Sequence, residues 1–420
     1  MKYIKKDLGS FNLHMIKVDK FKTIKMRVMF RNKIKKDEIT IRNFLINILT
    51  LSSKKYETKR RLAIEAQDLY AAQVSSYNRR IGSYITTNIS LAILNEKYTE
   101  KGMLEKSINF LREIIFNPNV ENKKFDSKSF EIVKKDMEMM FESLKEDYSK
   151  YSMIRLSDEI DPEAPYSYRT VGYEEDLEKI NEETLYQYYK NMISNDKVDI
   201  YIIGDIDFLE VERIIKANFN FRTLKKDNKL DALINCVSSP KKVKEIKEQE
   251  DINQAKLAIA CKLVDLTDYE RKYPLTLYHL IFGGSSDSKL FQVIREKHSL
   301  AYTISSALSK MDSLLFINGG IAKENYKKTI DLINEQLKAM AKGDFNEEDI
   351  DKAKQIYLTA IENMEDSLGQ IVNNYVMMDL TNSDDINTKK EMMGKVTKEE
   401  IIEVSKKVKM DTIYFLEGEM

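Results

Sequence analysis

The sequence predicts an α+β protein made of two similar domains, each about half of the chain. Three observations carry that prediction. The chain has 420 residues, 42% of them hydrophobic, which is ample for a buried core but long for a single domain. Each half then runs through strands, helices, strands and long helices in the same order. Finally, helix starts at Asn181 and Thr397 each lead through a helix into an apolar strand that closes on a glycine, Gly204 and Gly418. Helix followed by strand is common in any α/β chain, so the weight rests on the equal halves and the shared order. The two domains are expected over 1–225 and 226–420.

Near the start, rough alternation over 11–18 and 22–30 predicts two strands joined by a short turn at Asp19 and Lys20. Apolar residues Ile41, Phe44, Leu45, Ile48 and Leu49 then recur at three- and four-residue spacing, which predicts a helix with one buried stripe. A second helix over 60–70 and strand-like segments at 71–76 and 81–92 follow. Helices are expected over 105–116, 125–144 and 182–193, the last capped by Asn181. The run 198–207 reads as a strand and 208–217 as a helix. The polar, lysine-rich stretch 222–247, with Pro240 inside it, is the expected linker. The second half offers strands at 254–264, 301–308 and 313–321, and helices at 273–282, 326–341 and 347–364. The capping-box pattern Thr397-Lys398-Glu399-Glu400 and the strand 412–416 close it.

Lys plus Arg number 68 and Asp plus Glu number 68, so no whole-chain field favours nucleic acid or an anionic membrane. Charge at this density, with both signs interleaved, reads as solvated helical surface. Cys236 and Cys261 fit neither a disulfide framework nor a thiolate zinc site. With no membrane span and no leader-like apolar run, the expected location is cytoplasmic.

Catalytic signals are sparse. The three histidines, His14, His279 and His298, are too far apart in sequence for two to share a helical face toward a metal. His14 reads as a packing or surface residue, His279 as a satisfied core histidine and His298 as a surface residue. Gly283-Gly284-Ser285-Ser286-Asp287 is neither a nucleophile elbow nor a phosphate loop, and reads as a flexible turn before a helix near Ser288. The helical carboxylates Glu131, Asp136, Glu138 and Glu142 read as a solvated face.

One constellation stands apart: Ser288-Lys289-Leu290-Phe291-Gln292-Val293-Ile294-Arg295-Glu296-Lys297-His298-Ser299-Leu300-Ala301-Tyr302. It resembles the second-domain signature of the pitrilysin/insulinase family of zinc peptidases, in its processing-peptidase-like branch. The duplicated halves agree with that family's architecture, so the resemblance covers nearly the whole chain. It implies a metalloendopeptidase-like fold in which each domain is a mainly antiparallel sheet covered by helices. Active members carry His-x-x-Glu-His on the first helix, two zinc ligands enclosing the general base. The matching stretch here is Asn43-Phe44-Leu45-Ile46-Asn47, with asparagine at both ligand positions and Ile46 at the base position. Glu138 resembles a remnant of the third ligand.

The resemblance therefore implies a non-catalytic member with no metal or other cofactor of its own. It is similar in type to the inactive partners associated with elongation factor P modification. Such a subunit is expected to pair as a heterodimer with a zinc-bearing paralogue and to hold the peptide substrate through Arg295 and Tyr302. On the residues alone, Arg295 reads as a helix-surface ion pair and Tyr302 as a core aromatic. The competing reading of the whole chain is a scaffold or binding subunit of a larger assembly, without peptidase function. A peptidase with a rebuilt metal site is a third.

Overall fold

A computed structural model of the chain describes residues 1–221, 234–235 and 237–418. Cys236 and residues 222–233 of the expected linker lie outside the described residues. The chain clusters into two compact units, one of Met1–Glu142 and Arg169–Asp231 and the other of Ser143–Tyr168 and Ala232–Met420. Compared with the expected division after residue 225, the segment Ser143–Tyr168 stands with the second unit.

The first unit opens with β1 (Lys2–Asp7), β2 (Asn12–Lys17), β3 (Thr23–Lys33), α1 (Ile39–Leu49) and α2 (Lys59–Asp68). It continues through β4 (Gln73–Ile81), β5 (Tyr84–Leu94), α3 (Met103–Phe116), the small ladder of β6 (Val120–Glu121) and β7 (Lys124–Phe125), and α4 (Ser127–Glu146). The chain then gives α5 (Tyr148–Ile160) to the second unit. It returns to the first with α6 (Glu174–Leu177), α7 (Glu182–Asn195), β8 (Lys197–Gly204) and α8 (Phe208–Asn218).

The rest of the second unit begins with β9 (Lys244–Glu250), β10 (Ala255–Leu263), α9 (Asp268–Lys272) and α10 (Pro274–Phe282). After a π-helical turn over Phe291–Lys297 come β11 (Ala301–Ser309) and β12 (Leu314–Ile321). α11 (Tyr326–Lys342), α12 (Glu347–Met364), α13 (Leu368–Thr381), α14 (Ile386–Lys395), α15 (Lys398–Lys406) and β13 (Val408–Gly418) complete it.

The sheet topologies establish the duplication. The first sheet runs β1-β2-β8-β3-β5-β4 and the second β11-β12-β10-β13-β9. Read from the β4 and β11 ends, the orders β4-β5-β3-β8-β2 and β11-β12-β10-β13-β9 correspond strand for strand. Even the exceptions match: β2 with β8, and β9 with β13, are parallel, whereas the other pairs of the two sheets are antiparallel. Both helix starts expected from the repeat are present. Asn181 accepts from the backbone N–H groups of Glu183 and Thr184, and Thr397 forms a capping box with Glu400.

Both faces of the second sheet are covered. Along β10, Leu257, Ile259, Cys261 and Leu263 alternate toward the helical layer that includes Leu277, Ile281, Ile333 and Val404. Ala258 and Ala260 face the other way, against Leu156 and Ile160 of α5. Small alanines at those positions let a helix lie close. Arg155 Nε donates to Glu248 at 3.1 Å, and Lys262 Nζ bridges Asp161 at 2.9 Å and Asp411 at 3.1 Å, fixing the helix at its sides.

Three local differences from the sequence expectation have physical reasons. β2 and β3 are joined by the expected short turn, yet β8 inserts between them, because its apolar run is buried almost throughout and belongs at the sheet centre. The segments expected at 71–76 and 81–92 are β4 and β5, shifted toward the C-terminus around the turn at Gly82. Charge is not confined to the surface: Arg31, Arg42, Asp196 and Asp199 are buried. Among the described residues, no helix is long and apolar enough to cross a membrane.

Candidate functional site

α1 occupies the position of the expected metal helix, and its eleven residues, Ile-Thr-Ile-Arg-Asn-Phe-Leu-Ile-Asn-Ile-Leu, include no histidine, cysteine or carboxylate. The structure gives each motif position another task. The Asn43 amide is engaged at both ends: Nδ2 donates to the Thr170 carbonyl at 2.9 Å, and Oδ1 accepts from Asn78 Nδ2 at 2.8 Å. Ile46 is core, 3% exposed. Asn47 is exposed one turn further on.

Glu138 sits on α4, which packs against α1 through the stacked rings of Phe44 and Phe130, 4.6 Å between centroids. Its side chain is 45% exposed and lies 4.0 Å from Lys134, one turn back on the same helix. Neutral amides, a buried hydrocarbon and a solvated carboxylate do not form a zinc site. These residues do not fit the metal.

Beneath the helix, Arg42 replaces metal chemistry with a buried polar network. It is 2% exposed, with Nε donating to Thr87 Oγ1 at 2.6 Å, Nη1 to the Tyr188 hydroxyl at 3.3 Å and Nη2 to the Asp196 carboxylate. Thr87 in turn donates to Asn78 at 2.6 Å, which ties the network to Asn43. Burial works against the Arg42 charge, but the Asp196 carboxylate and Tyr188 outweigh it and keep the guanidinium protonated. A buried carboxylate in β8 shows a similar balance. Burial alone would raise the Asp199 carboxyl, yet His14, Arg31 and Asn12 hold it well below the usual carboxylate range. His14 is thus a buried packing residue: its ring stacks on Tyr201 at 4.1 Å and receives the Tyr3 hydroxyl at 2.8 Å.

The second candidate group lies on the second unit. Arg295 is in the π-helical turn, its guanidinium 4.6 Å from the Phe291 ring centroid and its Nε 3.7 Å from Glu296. The chain then doubles back sharply. His298 N bonds to Val293 O at 3.1 Å, Leu300 N bonds to Ile294 O at 2.9 Å, and Ser299 takes a positive φ of 51°. This return places the start of β11 beside the turn that carries Arg295.

β11 is the edge strand of its sheet, and Tyr302 is its bulge: Ala301 pairs with Ile321 and Thr303 with Gly320, leaving Tyr302 without a register partner. Tyr302 is 76% exposed, so the core reading that the residue alone suggested is wrong. The bulge turns its ring out of the pleat. Thr303, Ser305 and Ala307 are exposed along the same strand. A π turn, a left-handed serine and a bulge within twelve residues is a concentration of irregular backbone of the kind found at functional sites.

The turn that follows α10 also shapes this edge. The expected flexible turn at Gly283-Gly284 lies against β11: the Ser306 amide donates to Gly283 O at 2.8 Å, and His279 Nε2 donates to Ser306 O at 3.0 Å. His279 is therefore satisfied, as expected, but by the strand edge. Burial lowers its imidazole below the ordinary value in spite of that bond. The only sequence signal was a glycine pair shortly after a histidine.

Comparison with known proteins agrees with this architecture. Residues 179–357 match the family model of the "Peptidase M16 inactive domain". The "Probable inactive metalloprotease YmfF" of Bacillus subtilis (strain 168) is 31% identical over 421 residues, covering 99% of this chain and 97% of that protein. The chain belongs to the M16 peptidase family. A shorter match, the "Uncharacterized zinc protease YmxG" of Bacillus subtilis (strain 168), is 27% identical over 190 residues and covers 45% of each chain. The crystal structure of a conserved protein from Enterococcus faecalis V583 superposes with a TM-score of 0.93 at 26% identity, covering 99% of both chains. This M16 chain lacks the zinc-binding motif altogether, since three dispersed histidines cannot supply it.

Proposed function

We propose that this chain is the non-catalytic, substrate-holding subunit of a heterodimeric cytoplasmic peptidase whose zinc is carried by a paralogue. The observation that carries the reading is β11. It is an edge strand of nine residues without a single charge, opened by a bulge at Tyr302 and flanked by Arg295. Main-chain N–H and C=O groups on such an edge can accept an extended peptide as a further strand. A guanidinium and a phenol at its start are donors suited to the carbonyls of that peptide. The loss of every ligand type from α1 supports placing the zinc on another chain, and similarity to a protein named as an uncharacterized zinc protease supports the same reading.

The test is native mass spectrometry on the chain purified gently from its own cells, followed by turnover of a peptide by the recovered complex. A second protein bearing His-x-x-Glu-His, with one zinc, is expected. Arg295→Ala is expected to reduce turnover by about 10- to 100-fold, the range for one hydrogen bond to a charged donor, with assembly unchanged. Turnover unchanged by that substitution, or recovery of zinc-free monomer or homodimer only, would move the scaffold reading ahead.

A further inference from the structure

We infer that His279 and the Gly283-Gly284 turn set the length of the β11 edge open to an extended peptide, ending it before Ser306. The inference rests on the reading of β11 as the peptide-holding edge. In an antiparallel ladder, the N–H and C=O of one residue point to the same side, and successive residues alternate. Both main-chain groups of Ser306 are taken on the side away from β12, the N–H by Gly283 O at 2.8 Å and the C=O by His279 Nε2 at 3.0 Å. At Ser306 the edge is therefore already paired, by the protein's own turn.

The turn is built for this contact. A Cβ on Gly283 would stand 2.6 Å from Ser306 Oγ, and one on Gly284 would stand 2.6 Å from the His279 ring. No side chain fits at either position with the turn lying against the strand. Gly284 N also bonds to His279 O at 2.8 Å, so the histidine and the turn hold one another. What remains open is the other end of β11, where Tyr302 is exposed and Arg295 stands close in the chain fold. The ligand class that follows is a short extended peptide segment, recognised through its backbone over Tyr302–Ser305. A long strand running the length of β11 is excluded by the plug, and His279 is a specificity-determining residue for this site.

The test is residue-resolved hydrogen–deuterium exchange on the full chain, alone and with tryptic peptides of casein as the probe. Three proteins are compared: the parent, His279→Ala, and His279→Gln, whose amide retains a donor. Without peptide, the Ser306 amide is expected to exchange about five- to tenfold faster in His279→Ala than in the parent, as for loss of one net hydrogen bond's support, and to be restored in His279→Gln. With peptide, protection is expected at the outward-facing Ile304 amide in the parent, and at both Ile304 and Leu308 in His279→Ala. Equal Ser306 exchange in all three proteins, or peptide protection of Leu308 in the parent, overturns the inference. Peptide protection nowhere on β11 in any of the proteins overturns the peptide-holding reading instead, and Ser306 exchange without peptide still decides whether His279 caps the edge.

Discussion

Restoring the zinc motif on α1 should unfold the protein before it revives a peptidase. In Asn43→His/Ile46→Glu/Asn47→His, the exposed Asn47 position tolerates its change within about 0.5 kcal/mol. Ile46 does not, because it is 3% exposed. Removing its side chain from the core forfeits about 1.5–3 kcal/mol, and a glutamate there, even neutralised, adds a buried polar group at about 1–3 kcal/mol more. Asn43→His breaks the 2.9 Å bond to Thr170 O and leaves Asn78 without its acceptor, at about 1 kcal/mol each. The total is about 4–8 kcal/mol, against the roughly 5–15 kcal/mol that holds a typical domain folded. Urea unfolding followed by circular dichroism measures the loss, and metal analysis after dialysis measures zinc. A triple variant within about 1 kcal/mol of the parent that retains one zinc per chain would refute this account of α1 as a helix committed to packing.

Three further outcomes follow from the same geometry. Arg42→Leu should destabilise the protein by about 3–5 kcal/mol in urea unfolding, because it leaves the Asp196 carboxylate buried without its partner; a change below about 1 kcal/mol would show the network to be dispensable. Burial pushes the Cys261 thiol up to about 12, so in a Cys236→Ser background iodoacetamide should leave the folded chain unmodified at pH 8, and rapid alkylation would contradict the packing of β10. The His279 imidazole is lowered by burial, so the unfolded chain takes up its proton first, at its ordinary value of about 6.5. Its contribution to stability is complete above that pH and is lost as the pH falls through it toward the lower folded value, and His279→Gln should flatten this part of the pH dependence between about pH 7 and 5.

The repeat was legible because its markers are local. Capping residues at Asn181 and Thr397 and strand-ending glycines at Gly204 and Gly418 act within one helical turn or one strand end, and the structure keeps them as read. What the sequence concealed depends on partners far along the chain. α5 shows only a modest apolar stripe, and its place is decided by Ala258 and Ala260, about a hundred residues later, which leave room for Leu156 and Ile160. β9 hid inside a lysine-rich stretch because an edge strand exposed along most of its length needs no apolar face. At the site, the exchanged motif residues were plain in the sequence, but the closure of Asn43 by Asn78 and Thr170, and of Ser306 by Gly283 and His279, could be seen only once the strands were paired.

The four edge strands of the two sheets divide by charge, and the division bears on function. β1 carries Lys2, Lys5, Lys6 and Asp7, and β9 carries Lys244, Glu245, Lys247, Glu248 and Glu250, so each presents charge to any chain that would add to it. Such charge is the usual protection of an exposed edge against unwanted pairing. β11 has no charged residue, and β4 has none until Arg79. These two strands correspond in the duplicated topology. A protein that had lost all use for strand pairing would gain solubility by charging both edges of each sheet, since the substitutions are exposed and nearly neutral in stability. Keeping the β11 edge uncharged, and limiting it with His279 and a glycine pair instead, fits an edge retained for a peptide partner and shaped against longer ones. Introducing lysine at the exposed Thr303 and Ser305 positions should therefore abolish peptide protection while leaving urea stability within about 0.5 kcal/mol, and peptide protection that survives both lysines would show that the absence of charge on this edge has no bearing on binding.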